Sequence, residues 1–139
     1  MTLLDTNVIS ELMKGKPSSS VRNWLSSMQV NTLGVTSLSL AEIRWGLCRL
    51  PKGQRRHRLE TSFERVVSEG FGGRVFGFDE AAATVFGALA AGREDSGLHV
   101  DMVDAMIAAI ARSIGASVAT RNVGDFEGCG IEVVNPWEG

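Results

Sequence analysis

Cysteine is scarce in this chain, and the two present, Cys48 and Cys129, are far apart and lack metal-ligand spacing. A disulfide framework or a zinc site is therefore not expected, and a reduced, cytoplasmic setting fits. Excess positive charge is also missing. Fourteen Lys and Arg against sixteen Asp and Glu leave a formal charge of −2, so there is no bulk attraction toward nucleic acid and any such partner must be held locally. No basic or long apolar leader precedes Leu3-Leu4, and no span-length apolar run is free of charge, which argues against secretion and membrane insertion. The glycine-rich loops of nucleotide-binding enzymes do not follow the first strand, and Ser10 and Ser37 lack the His and acid of a hydrolase triad. His57 and His99 each lack a second ligand at sensible spacing and read as surface residues. The only lysines, Lys14, Lys16 and Lys52, do not follow a late strand, as a phosphoacceptor receiver domain would require.

What remains is an ordinary globular composition, 139 residues with 44% apolar content, enough for one domain spanning 1–139. Periodicity and punctuation predict a strand at about 2–5, a short helix to about Lys14, and a second helix near 18–28. A strand at Leu33–Thr36, a helix over 37–50, a charged helix near 54–69 and a strand at Arg74–Phe78 follow. Asp79 is expected to cap an Ala-rich helix ending near Gly92, and Asp101 another running to Gly115. Ser117–Thr120 and Ile131–Val134 complete the strands. Strands alternating with helices, with no Asn-Gly hairpins, predict an α/β fold whose mostly parallel sheet is covered by helices on both faces.

Three acids stand out in this frame. Asp5 closes the first strand, where open α/β sheets keep their active sites; Glu42 and Asp104 lie near helix starts. Each has a bland explanation: Asp5 as a helix cap, Ser39 with Glu42 as a capping box, and Asp101 with Asp104 as favourable charges in a first turn. Asp104 resists it, because on a helix it shares a face with Ile107, Ala108 and Ala111, which should point at the sheet. If the three acids converge, each pair at ~4 Å repels by about 4 kcal/mol at an effective dielectric near 20, a penalty that a divalent cation removes. Hard oxygen donors without His or Cys favour Mg²⁺ or Mn²⁺ over zinc, and such ions clamp phosphate oxygens and activate water. Phosphodiester hydrolysis is the chemistry suggested. Arg121, directly after a strand end, is the strongest phosphate candidate, whereas Arg55, Arg56 and Arg58 read as a solvated helix face. Trp24, Trp45 and Cys48 read as core or interface residues that pack together.

Leu4-Asp5-Thr6-Asn7-Val8-Ile9-Ser10-Glu11, Ala41-Glu42-Ile43-Arg44-Trp45-Gly46, Asp104-Ala105-Met106-Ile107-Ala108-Ala109 and Thr120-Arg121-Asn122-Val123-Gly124-Asp125-Phe126 resemble the successive signatures of PIN-domain proteins, most of all the VapC and FitB group of toxin–antitoxin ribonucleases. The likeness runs to the closing Asn135-Pro136-Trp137. It implies a PIN-like α/β/α sandwich of four to five strands, Mg²⁺- or Mn²⁺-dependent RNA cleavage, and homodimerisation. It also implies a cognate DNA-binding antitoxin of the VapB or FitA kind, through which alone the chain would meet DNA. By position, Asp5, Glu42 and Asp104 match the acidic cluster that holds metal and its water, and Asn7 and Thr120 match polar positions lining it. The family's fourth acidic place holds Asn122, whose amide oxygen can ligate or orient water without supplying charge, and Asp125 is the substitute. Asp101 ranks as cap or outer support. The alternative to a nuclease is a PIN-fold protein that binds RNA or a partner and cleaves weakly or not at all, for which Asn122 is the best argument.

Overall fold

The computed structural model describes residues 1–138. Five parallel strands form one sheet in the order β3-β2-β1-β4-β5. These are β1 (Thr2–Leu4), β2 (Leu33–Thr36), β3 (Val75–Phe76), β4 (Ser117–Ala119) and β5 (Val133–Val134). The first strand is thus the centre of the sheet. The connections carry α1 (Thr6–Leu12), α2 (Ser19–Ser26), α3 (Ser37–Cys48), α4 (Gln54–Arg65), α5 (Glu80–Asp95) and α6 (Met102–Ile114). The resulting layers are those of an α/β/α sandwich, as parallel strands with helical crossovers demand.

Strand alternation assigns the two cores. Leu3 and Val118 point to one side, where they join Leu89 of α5 and Ile107, Ala108 and Ile110 of α6. Leu4 and Ala119 point to the other, where Val8 and Ile9 of α1, Ile43 and Leu47 of α3 and Phe63 of α4 cover them. Adjacent residues of a strand serve opposite faces, so each strand needs apolar residues in succession rather than in alternation. The buried face of α6 is the one expected, with Ile107, Ala108 and Ala111 all essentially inaccessible. Gly115 ends that helix in the left-handed conformation at φ 70°, where glycine carries no Cβ penalty.

Several local expectations require correction. The cap of α3 is Thr36, whose hydroxyl accepts from the Ser39 backbone N–H at 3.1 Å. Ser39 is therefore the helix's third residue rather than its cap, and Glu42 is freed from a capping box. The Ala-rich helix does not stop at Gly92 but continues to Asp95, and Arg93 in its last turn donates to the carbonyls described below. The charged helix is α-helical only to Arg65 and widens into a π-turn over Val66–Phe71, closed by left-handed Gly72. The strand expected over 74–78 pairs only at Val75 and Phe76. Trp45 is not a core residue: it is 67% exposed with Arg49 stacked against its ring, and Cys48 is exposed beside it on α3.

Candidate active site

The carboxyl end of β1 delivers Asp5 into a pocket of fixed donors. Its backbone N–H donates to the Ala119 carbonyl, extending the β1–β4 ladder by one rung. One carboxylate oxygen accepts from the Thr6 N–H at 2.8 Å, which caps α1. The other accepts from the Thr120 hydroxyl at 2.8 Å and, at 3.4 Å, from the Asn7 amide. Thr120 is fully buried, and its oxygen also accepts from Asn7 Nδ2 and from the Asn122 backbone N–H. The remaining end of the Asn7 amide, Oδ1, accepts from the Arg121 N–H at 3.1 Å. Asp5, Asn7 and Thr120 therefore form one closed network across the central strand pair, and it locks the turn after β4 against the start of α1.

Around this network the other acids gather without touching it. Glu42, in the second turn of α3, accepts from the Thr6 hydroxyl at 3.1 Å. Asp101 caps α6 by accepting the Asp104 N–H at 2.9 Å, and is in that sense the expected cap. Asp104 projects from the first turn of α6. Burial, followed by the charges of Asp101, Asp5, Asp125 and Glu42, raises its pKa to about 7. Burial also raises the Asp5 carboxyl, with Asp125 adding to it, against the lowering effect of its Thr120, Thr6 and Asn7 donors. Glu42 is raised by desolvation of its carboxylate and by Asp5 and Asp101, with Thr6 opposing. Burial is the largest cause at all three acids, and the charges of their acidic neighbours push the same way.

The sequence-predicted set thus meets in one place for Asp5, Glu42, Asp104, Asn7 and Thr120, and Asp125 contributes charge there from the 3₁₀ turn Val123–Phe126. Asn122 contributes its backbone N–H to Thr120. The sequence did not single out Thr6, although its hydroxyl tethers Glu42; its place between Asp5 and Asn7 was the available signal. Nor did it single out Arg93. That buried guanidinium has no carboxylate partner among the described residues, and donates instead to the carbonyls of His99, Gly124 and Glu127. It joins the end of α5 to the loop entering α6 and to the turn bearing Asp125. The bland readings hold for Arg56, which pairs with Glu60 one turn away, and for exposed His57 and His99.

Among the described residues no three acidic, His or Cys side chains stand close enough to enclose a metal ion on their own. The donor set nevertheless suits a cation of the Mg²⁺ class, which retains several waters and is held directly by only one or two carboxylates. Cysteine and imidazole are absent from it, so a softer metal has no matching ligand.

A PIN domain model matches residues 2–127 of the chain. The chain is 39% identical to the VapC ribonuclease Y4jK of Sinorhizobium fredii and 34% identical to the toxin FitB of Neisseria gonorrhoeae, in each case over 99% of both chains. It is also similar to the toxin chain in a solved structure of FitAB bound to an IR36 DNA fragment, with a TM-score of 0.91 and 34% identity over 99% of this chain and 96% of that one.

Proposed function

Because the chain belongs to the PIN-domain family, we propose that it is a Mg²⁺- or Mn²⁺-dependent endoribonuclease and the toxin component of a type II toxin–antitoxin module. The observation that carries this reading is the convergence of Asp5, Glu42 and Asp104, with Asp104 raised to about 7 by burial and, after it, by the neighbouring acids. The names of the relatives support the choice of RNA and of a toxin. Of Asp5, Glu42 and Asp104, one or two would hold the metal directly and the rest through its waters, with Asn122 or Asp125 in the fourth place. When bound, the cation neutralises the carboxylates and activates water for in-line attack on the phosphodiester. The chain's own part is to keep the acids in place: Thr120 and Asn7 orient Asp5, Thr6 orients Glu42, and Asp101 fixes the turn that carries Asp104. Arg121 supplies positive charge for the substrate backbone.

The partner is a cognate, DNA-binding antitoxin of the VapB or FitA kind, and the chain is a homodimer that meets DNA only through it. The complex on DNA in the FitAB structure supports this assembly. An apolar groove of about 370 Å³ leads away from Thr6 and Glu42 between Met13, Ile43, Leu47 and Leu59, and gives an antitoxin segment a seat from which a basic side chain reaches the acids. Purified chain, free of antitoxin, should cut structured RNA with Mg²⁺ or Mn²⁺ and leave a 5′-phosphate on the downstream fragment. Undiminished cleavage in EDTA, or a 2′,3′-cyclic phosphate product, would overturn the metal-water mechanism. Binding of RNA without cleavage would favour the non-enzymatic reading.

A further inference from the structure

Arg121 follows β4 directly, and its backbone N–H is pinned by the same Asn7 amide that donates to Asp5. Its position is therefore tied to the acidic network by main-chain geometry. The side chain is exposed, yet it is not loose: its guanidinium carbon lies 4.7 Å from the centre of the Trp137 ring. Trp137 is half-buried, packed against the core that contains Leu4 and Val8. Its short 3₁₀ segment, Pro136–Glu138, lies on α2. The Trp137 N–H donates to Asn135 Oδ1 at 3.0 Å, fixing the turn that presents the ring.

Stacking engages the flat face of a guanidinium and leaves its in-plane N–H groups free. Among the described residues no protein acceptor takes those donors, and no carboxylate lies within ion-pair distance of them. Glu11 is close enough to feel the charge, but its carboxylate is already occupied by Lys14 and the Ser18 N–H. A cation that is held in place while its hydrogen-bonding edge stays unused is prepared for an anion with two adjacent oxygens, which the non-bridging oxygens of a phosphodiester supply. The surroundings make such a residue necessary, since a polyanionic substrate approaching the carboxylates meets repulsion and the chain has no net positive charge to offset it.

We propose that Arg121 binds a backbone phosphate of the RNA beside the carboxylate cluster and that Trp137 is its positioning residue, holding the guanidinium over its ring with the N–H groups left for the substrate. This deepens, and rests on, the ribonuclease reading above. The test uses the full chain in an Asp104→Asn background, with affinity for a labelled RNA stem-loop measured at several salt concentrations. Arg121→Gln should weaken binding about tenfold and reduce the slope of log K against log salt by about 0.7–0.9, the contribution of one phosphate contact. Trp137→Phe, which keeps an aromatic face, should stay within about twofold, whereas Trp137→Leu should weaken binding about threefold. In the cleaving enzyme Trp137→Leu should raise KM and leave kcat unchanged. Thermal melts establish that each variant is folded. If wild type cleaves RNA while Arg121→Gln changes neither affinity nor salt slope, Arg121 does not bind phosphate. Equal affinities for the Phe and Leu variants would show that Trp137 does not act through its ring face. If wild type neither cleaves nor binds RNA, the ribonuclease reading itself fails, and this inference with it.

Discussion

Replacing Asp104 by Asn in the metal-free protein tests whether burial and the neighbouring acids make its charge costly to the fold. An acid whose folded pKa lies above its unfolded value keeps its proton in the native state and loses it when unfolded. Its contribution to stability is therefore complete below the unfolded value, near 3.8, and is lost as pH rises through the folded value of about 7. A displacement of about three units corresponds to roughly 4 kcal/mol at 1.36 kcal/mol per unit. Asp104 is only half-buried, so solvent screening reduces this by about half, to roughly 2 kcal/mol between pH 4 and pH 8. The N-terminal helix dipole favours the charge by about 0.5 kcal/mol, too little to reverse the sign. A chain of this size shifts its melting temperature by about 3 °C per kcal/mol. Asp104→Asn should therefore melt with wild type near pH 4 and about 6 °C above it at pH 8, in chelator. Saturating Mg²⁺ should raise wild type at pH 8 and leave the variant nearly unmoved, and the variant should not cleave RNA. A melting difference independent of pH, or one in which the variant is less stable at pH 8, would refute the argument that the buried charge is costly and return Asp104 to the role of a capping-turn acid.

Thr120→Val preserves shape but deletes the hydroxyl that serves Asp5, Asn7 and the Asn122 N–H. It should cost about 1–3 kcal/mol by denaturant titration and lower cleavage even at saturating Mg²⁺, whereas an unchanged midpoint would show that the network is dispensable. Asn122→Asp should tighten Mn²⁺ binding, or raise activity at low metal, if residue 122 occupies the fourth ligand place. An unaltered metal titration would assign that place to Asp125.

Much of this arrangement was legible because local chemistry and tertiary demand agree at the residues concerned. Asp79 and Asp101 open their helices with their carboxylates and Gly115 closes one because it lacks a Cβ, and Asp104 was conspicuous as a charge on the face that also presents Ile107 and Ala108. The capping box failed because Thr36 and Ser39 carry equivalent hydroxyls three residues apart. Only the extended backbone at the end of β2, with Thr36 at φ −91° and ψ 151°, decides which one caps. Helical spacing placed Trp45 on a face but could not tell whether anything covers it. Arg93 and the Arg121–Trp137 stack gave no local signal, because their partners lie 6 to 34 residues away in the first case and on a separate turn in the second. Such contacts exist only once the strands have been ordered.

The hydroxyl that secures Asp5 belongs to a residue synthesised 115 positions after it. At ribosomal speeds of about 5–20 residues per second, Thr120 follows Asp5 by about 6–23 s. Until β4 emerges and pairs with β1, the growing polypeptide carries Asp5, Glu42 and Asp104 but has no closed cleft to put them in. For a protein that attacks RNA, this delay acts as a safety catch: the nascent chain stays unarmed, and its cutting edge closes only once β4 has joined the sheet.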